Sequence, residues 1–313
     1  MLAGFPGPGL GLAAAISILV VSTVVFVEGV ERLASRLGLT RFATGALLAA
    51  ILTALPESFI ALISPFHASA EAAMVGAASV LAAPSITLLL GAPALALFMS
   101  GAKLSHGVWR NYLWFAVLFP VAALSSYLLP QAGRLPLAVL LVLLYVVLAR
   151  GIVLAEDDVL VNVDAALVEK LLGKENILLA ALQSAVAVSV MAYGADMFLD
   201  IMSSLENHFT YTLLVSPFAT CIEEVLAASY WTLKRKPDIA LSLLSGENLI
   251  QATLVVGLGI AATGWDLPYR AVYVSAVYSL SAAILSYSVK TGHVRLMPMV
   301  LLLYPVYVFA SMA

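Results

Sequence analysis

Four glutamates, Glu57, Glu223, Glu224 and Glu247, lie inside long apolar runs of this 313-residue chain, with no Lys or Arg mid-run to pair with them. Left ionised at the centre of a membrane helix, each would cost about 2.5–3.5 kcal/mol. Protonation, a bound cation or a water-filled cavity would relieve that cost. One such carboxyl could simply hydrogen-bond a neighbouring helix. Four together point to function, because ionisable groups at membrane depth default to it. Thr53 and Glu57, Thr220 and Glu224, and Glu247 and Gln251 are i,i+4 pairs, each on one helix face. Gly246, just before Glu247, is a place where a helix can unwind. Pro56, Pro65, Pro84 and Pro217 interrupt the same runs. Proline strips a carbonyl of its helical partner, and freed carbonyls near the midplane are ready oxygen ligands. Carboxylate, hydroxyl, amide and carbonyl oxygens form the donor set of a hard cation such as Ca²⁺ or Mg²⁺. Sulfur is confined to Cys221 and scattered Met residues, which weighs against a soft metal. Glu223 is turned about 100° from Glu224 on a regular helix and is expected to be secondary.

The elements that position these residues must be membrane helices. The chain is 63% hydrophobic and 11% charged, with mean hydropathy +1.05, against about 45–50% and 25% in soluble domains. The runs are continuous and lack the two-residue alternation of a barrel strand. An all-α membrane protein is therefore the expected class. Reading between charge and Gly/Pro clusters gives ten spans: 10–35, 41–64, 72–99, 109–129, 135–154, 176–200, 209–233, 238–262, 268–289 and 295–312. Met1–Gly9 lacks the basic region of a cleaved signal peptide and reads as a short lead-in. The polar interval 155–175 separates a first five-helix half (1–154) from a second (176–313).

Thirteen of the fifteen Lys and Arg residues flank alternate loops, the exceptions being Arg134 and Arg270. The positive-inside rule makes that side cytoplasmic, which places 155–175 in the cytoplasm and both termini outside, with the plasma membrane as the expected location. Five spans per half invert the second half relative to the first. The halves also echo each other: residues 27–62 parallel 193–228, aligning Thr53/Glu57 with Thr220/Glu224, and 71–91 parallel 238–259 more loosely. Two inverted five-helix repeats with a midplane site are usual in secondary transporters.

Other polar residues read as surface. Glu28, Glu31, Asp196 and Asp200 sit near span ends, and His67, His106, His208 and His293 lie in loops or at span ends. Trp109, Tyr112, Trp265 and Tyr269 read as interface anchors. Net charge −3 and no basic run longer than Lys234–Lys236 disfavour nucleic acid. Nothing resembles a nucleophile–base pair, a phosphate loop or HExxH, so neither an enzyme nor a cofactor is expected; the partners are the lipid bilayer and inorganic cations.

The stretch LTALPES (52–58) resembles the G-T/S-S-x-P-E signature of the cation/calcium exchanger superfamily, which includes sodium/calcium and proton/calcium antiporters. ATCIEEV (219–225) resembles its second copy, and DIALSLLSGENLIQATLVVGLG (238–259) resembles the Asn- and Gly-rich segment that follows. The resemblance implies ten helices in two inverted halves, and a central site with Glu57 and Glu224 as paired glutamates and Thr53 and Thr220 beside them. The later amide or acid positions fall on Ser85 and Gln251. Ala54 and Cys221 stand where the family has serine, Glu223 where it has proline, and Leu81 and Glu247 where a second serine is expected. Glu247 adds a third carboxylate. The implied activity is exchange of a divalent cation, Ca²⁺ being expected, for H⁺ or Na⁺. Loss of hydroxyl ligands at the flanking positions favours H⁺, because clustered carboxylates in low dielectric repel one another and favour protonation. A cation-binding scaffold or sensor without turnover, or a carrier of Mg²⁺ or a monovalent cation, are the alternatives.

Overall fold

A run buried in lipid has no water to bond its amides and must satisfy its backbone internally. The computed structural model describes residues 8–34, 54–99, 104, 106–154, 167–173, 176–233, 235 and 237–313, and among them there is no strand. The helices are α1 (Pro8–Ala34), α2 (Leu55–Ile63), α3 (Ala70–Ala96), α4 (His106–Leu128), α5 (Gln131–Leu154), α6 (Leu167–Leu172), α7 (Ile177–Ser203), α8 (His208–Thr220), α9 (Ile222–Leu233), α10 (Pro237–Thr263), α11 (Arg270–Thr291) and α12 (Val294–Met312). Among the described residues, eight are long and apolar enough to cross a membrane, or nine if α8 and α9, bent by 47° at their junction, count as one span. The expected second span is described only from residue 54 onward; 41–53 lie outside the described residues, as do 155–166 and 174–175 of the linker.

Two spans form the centre: α3 is 83% and α10 89% buried, whereas α5 is 22% buried and turns Leu140, Leu143 and Val147 outward. Each central helix contains one π turn, Thr87–Gly91 in α3 and Gln251–Val255 in α10. Such turns recur where a helix is adapted to a functional site. Two separate apolar cores surround this centre. The larger joins α3, α4, α5 and α8 to α12; the smaller joins α1 and α7 to Ile60, Ala72, Val75 and Ala219. Within the smaller, α1 and α7 run antiparallel. A Cβ on Gly11 would meet Ile201, one on Gly194 would lie 2.8 Å from Ile18, and one on Gly29 would strike Ser184. Small residues at such crossings let membrane helices approach closely.

Side-chain contacts sort the loops into two ends. At one, His67 meets Asp196 and Asp200, Arg134 donates to the carbonyls of Gly264 (2.7 Å) and Ser126 (2.8 Å) and pairs with Asp266, and Arg270 donates to Thr210 and to the Ser311 carbonyl. At the other, Arg32 pairs with Glu169 of α6 at 2.9 Å, and Lys290 stands over Trp109. The two basic residues that break the sequence's charge bias, Arg134 and Arg270, are thus both engaged in structural hydrogen bonds. Two expected interface anchors are buried instead. Trp265 follows left-handed Gly264 (φ 72°), folds under Gly259 and donates Nε1–H to Ala122 O at 2.8 Å. Tyr112 is wholly enclosed in the larger core. Tyr269 stays exposed, as an anchor should.

Candidate functional site

Glu57 and Glu224 occupy matching places: each is the third residue of its helix among the described residues, Leu55-Pro56-Glu57 opening α2 and Ile222-Glu223-Glu224 opening α9. The preceding residues, Ala54 (φ −75°, ψ 2°) and Cys221 (φ −128°, ψ 4°), both have ψ near zero, outside the helical range. The helix N-terminus, with its exposed N–H groups and positive dipole end, is where a carboxylate is best tolerated at membrane depth. Both side chains are fully buried. Glu223 shares the first turn of α9; its side chain lies outside the described set, as does the whole of Thr53.

The break between α8 and α9 meets the break in α3. Cys221 packs against Ala83 and Ile86, which flank Pro84. The buried Cys221 thiol is within electrostatic reach of Glu57, Glu224 and Glu247 together. Three of the four singled-out glutamates, drawn from α2, α9 and α10, thus lie within electrostatic reach of one thiol. Gln251, at the start of the α10 π turn, donates Nε2–H to Glu247 at 2.9 Å and lies 4.0 Å from Cys221 Sγ. Its Oε1 is buried and makes no hydrogen bond among the described residues. Thr220 donates to Ser216 O at 3.1 Å and lies 3.3 Å from Cys221 Sγ. Ser85 is buried in the same interior, within reach of the Tyr278 and Tyr307 hydroxyls contributed by α11 and α12. Among the described residues, no three His, Cys, Asp or Glu side chains stand close enough to hold a metal ion by themselves.

The proline-freed carbonyls correct one expectation. Pro217 removes the donor that would have reached Leu213 O, and Tyr307 OH fills that place at 2.5 Å. The same repair serves Pro120 in α4, whose orphaned Ala116 carbonyl accepts from Ser279 Oγ at 2.6 Å. An unbonded carbonyl in the interior is expensive, and hydroxyls from α11 and α12 occupy both. The carbonyl freed by Pro217 is thus already engaged by protein.

Several polar residues of the interior were not singled out in the sequence. Thr87 and Asn248 approach at 3.3 Å across the two central helices, and Asn111 donates to Ser245 at 3.3 Å. Tyr145 lies within electrostatic reach of Glu247. Asn248 carried a readable signal, an amide next to Glu247 in an apolar run. Tyr145 carried none, since a lone tyrosine in a lipid-facing run looks like an anchor.

The sodium/calcium exchanger protein family matches residues 8–153 and 179–313. No curated protein sequence matches the chain. The crystal structure of the H⁺/Ca²⁺ exchanger CAX is similar to it at TM-score 0.70 and 14% identity, covering 99% of this chain and 91% of that one. The sodium-calcium exchanger NCX_Mj, in a form soaked with Na⁺ and Sr²⁺, is similar at TM-score 0.62 and 17% identity, with 96% and 97% covered. At such identity these structures speak for the fold. With the family match spanning both halves on either side of the linker, the chain belongs to the sodium/calcium exchanger protein family.

Proposed function

We propose that this protein is a secondary antiporter that exchanges a divalent cation, Ca²⁺, for protons through the site bounded by Glu57, Glu224, Glu247 and Gln251, with Thr53, Thr220, Ser85 and Glu223 around it. One observation carries the reading: three buried carboxylates from three helices all lie within electrostatic reach of Cys221, where the α8–α9 break meets the break in α3. A divalent ion favours the ionised carboxylates and protonation expels it, so the two occupants exclude each other. Hydroxyl, amide and carbonyl oxygens complete the coordination of an ion that prefers six to eight of them. Alanine and cysteine at positions 54 and 221 leave no hydroxyl for a flanking sodium ion, which supports H⁺ as the counter-ion.

The same reading takes 1–154 and 176–313 as inverted repeats joined by a cytoplasmic 155–175, with ten spans and both termini outside, in the plasma membrane. The matching non-helical residues ahead of α2 and α9, Ala54 and Cys221, and the π turn in each central helix support it. Divalent flux in proteoliposomes under separately imposed Na⁺ and H⁺ gradients tests the assignment. Proton-driven flux abolished by Glu57→Gln and by Glu224→Gln is the expected result. Sodium-driven flux indifferent to a pH gradient would replace the counter-ion and leave the antiporter. Ion binding without flux would replace the antiporter with a sensor.

A further inference from the structure

His67 stands at the turn between α2, which carries Glu57, and α3. The turn is rigidly built: Ala68 is left-handed (φ 49°), and Ser69 caps α3 by accepting from Ala72 N at 3.0 Å. Both ring nitrogens of His67 face carboxylates of α7, Nε2 at 2.9 Å from Asp196 and Nδ1 at 3.3 Å from Asp200. Those aspartates are one helical turn apart, on one face. A neutral imidazole has one N–H and can donate to only one of them, whereas the imidazolium donates to both. Glu71, in the first turn of α3, is the other charged group on an element packed against this turn. The α2 helix brings only Glu57, which belongs to the central site, and the nearby segment of α10 (256–263) carries no charged residue.

Position gives this contact its meaning. The α1–α7 pair has its own apolar core, and α6 ties the far ends of the two helices together: Glu169 accepts from Arg32 and from Asn176 N, and Gln183 bonds both Val168 N and Val25 O. At the opposite end, His67 joins the pair to the helix bearing the central glutamate. We propose that His67, Asp196 and Asp200 form a proton-operated clasp that fastens the α1–α7 pair to the site-bearing bundle when His67 is protonated and loosens it when His67 is neutral. Under the orientation given above, the clasp reads the external pH; its mechanics do not depend on that orientation or on the transported ion.

The test measures distance and needs no transport. Spin labels at Phe66→Cys and Tyr193→Cys, both exposed positions, report the gap between the turn and α7 by electron–electron resonance in purified protein. The parent chain, with only buried Cys221, controls for stray labelling. On acidification the distance distribution should narrow and shorten. In His67→Gln it should stay broad at every pH, and in His67→Arg, a permanent double donor, narrow at every pH. A distribution indifferent to pH in the parent, or one that titrates equally in His67→Gln or His67→Arg, would overturn the clasp.

Discussion

Replacing Gly91 by alanine places a methyl group between the two halves without touching a charge. Gly91 ends the π turn of α3, and a Cβ there would lie 2.7 Å from Val225 Cγ2 and 3.2 Å from Ile86 O. Neither neighbour yields easily: the carbonyl is part of the helix backbone, and valine is stiff at χ1. Val225 directly follows Glu224, so relief requires α9 to move and carry the central carboxylate with it. Overpacking of this kind costs about 1–3 kcal/mol. If all of it appears as misplacement of Glu224, the half-saturating divalent concentration rises about 5- to 140-fold, since 1.4 kcal/mol is tenfold. Gly133→Ala is the control, because its Cβ would meet only Pro130 and Leu129 at 3.6 Å or more. Concentration-dependent uptake into proteoliposomes reads both variants beside the parent. A half-saturation for Gly91→Ala equal to that of Gly133→Ala would refute the proposed link between the π turn and the position of Glu224.

Tyr307→Phe should strand the Leu213 carbonyl and lower stability by about 1–3 kcal/mol, read as a fall in apparent Tm in detergent; Ser279→Ala should do the same through Ala116. Arg134→Met removes two short charged bonds to carbonyls, at about 1.5–3 kcal/mol each, whereas Asp266→Asn, at a largely exposed partner, should change stability by about 1 kcal/mol or less. Equal thermal shifts in those two variants would contradict the carbonyl-based account. Gln251→Leu removes the amide donor from Glu247 and should shift the pH profile of divalent flux; a profile identical to the parent's would show that Glu247 takes no part in exchange.

The carboxylates were legible because charge in an apolar run is rare and needs a reason. Glu57, Glu224 and Glu247 pointed to the proposed site, and Thr-x-x-x-Glu in each half pointed to its proposed pairing. The membrane-length helices were legible too, since hydropathy reports length directly; eight of them, or nine with the bent α8–α9 pair, stand among the described residues. What escaped was anything decided by a partner remote in sequence. Trp265 and Tyr112 looked like interface anchors because their types prefer that depth; their burial depends on Gly259 and on the packing of α4. The Pro217 carbonyl looked available because proline's local effect is certain, while Tyr307, which occupies it, lies 90 residues on. His67 looked like solvated surface until Asp196 and Asp200 were brought against it. The π turns have no residue signature at all, being a property of how α3 and α10 pack together.

The bonds that tie the two halves together at the ends and in the interior have a bearing on how the chain is made. Arg32 finds Glu169 137 residues later, His67 finds Asp196 after 129, Asn111 finds Ser245 after 134, and Arg134 finds Gly264 after 130. At a synthesis rate of about 5–20 residues per second, each first partner waits roughly 6–27 s for its second. During that interval the first five helices sit in the bilayer with their mouths unsealed and Glu57 away from Glu224 and Glu247. A half-chain ending at residue 154 should therefore insert without acquiring protease resistance, and should acquire it only when 155–313 is supplied, even as a separate polypeptide. The two halves complete each other's interior, so the proposed site takes shape only once the second half has joined the first.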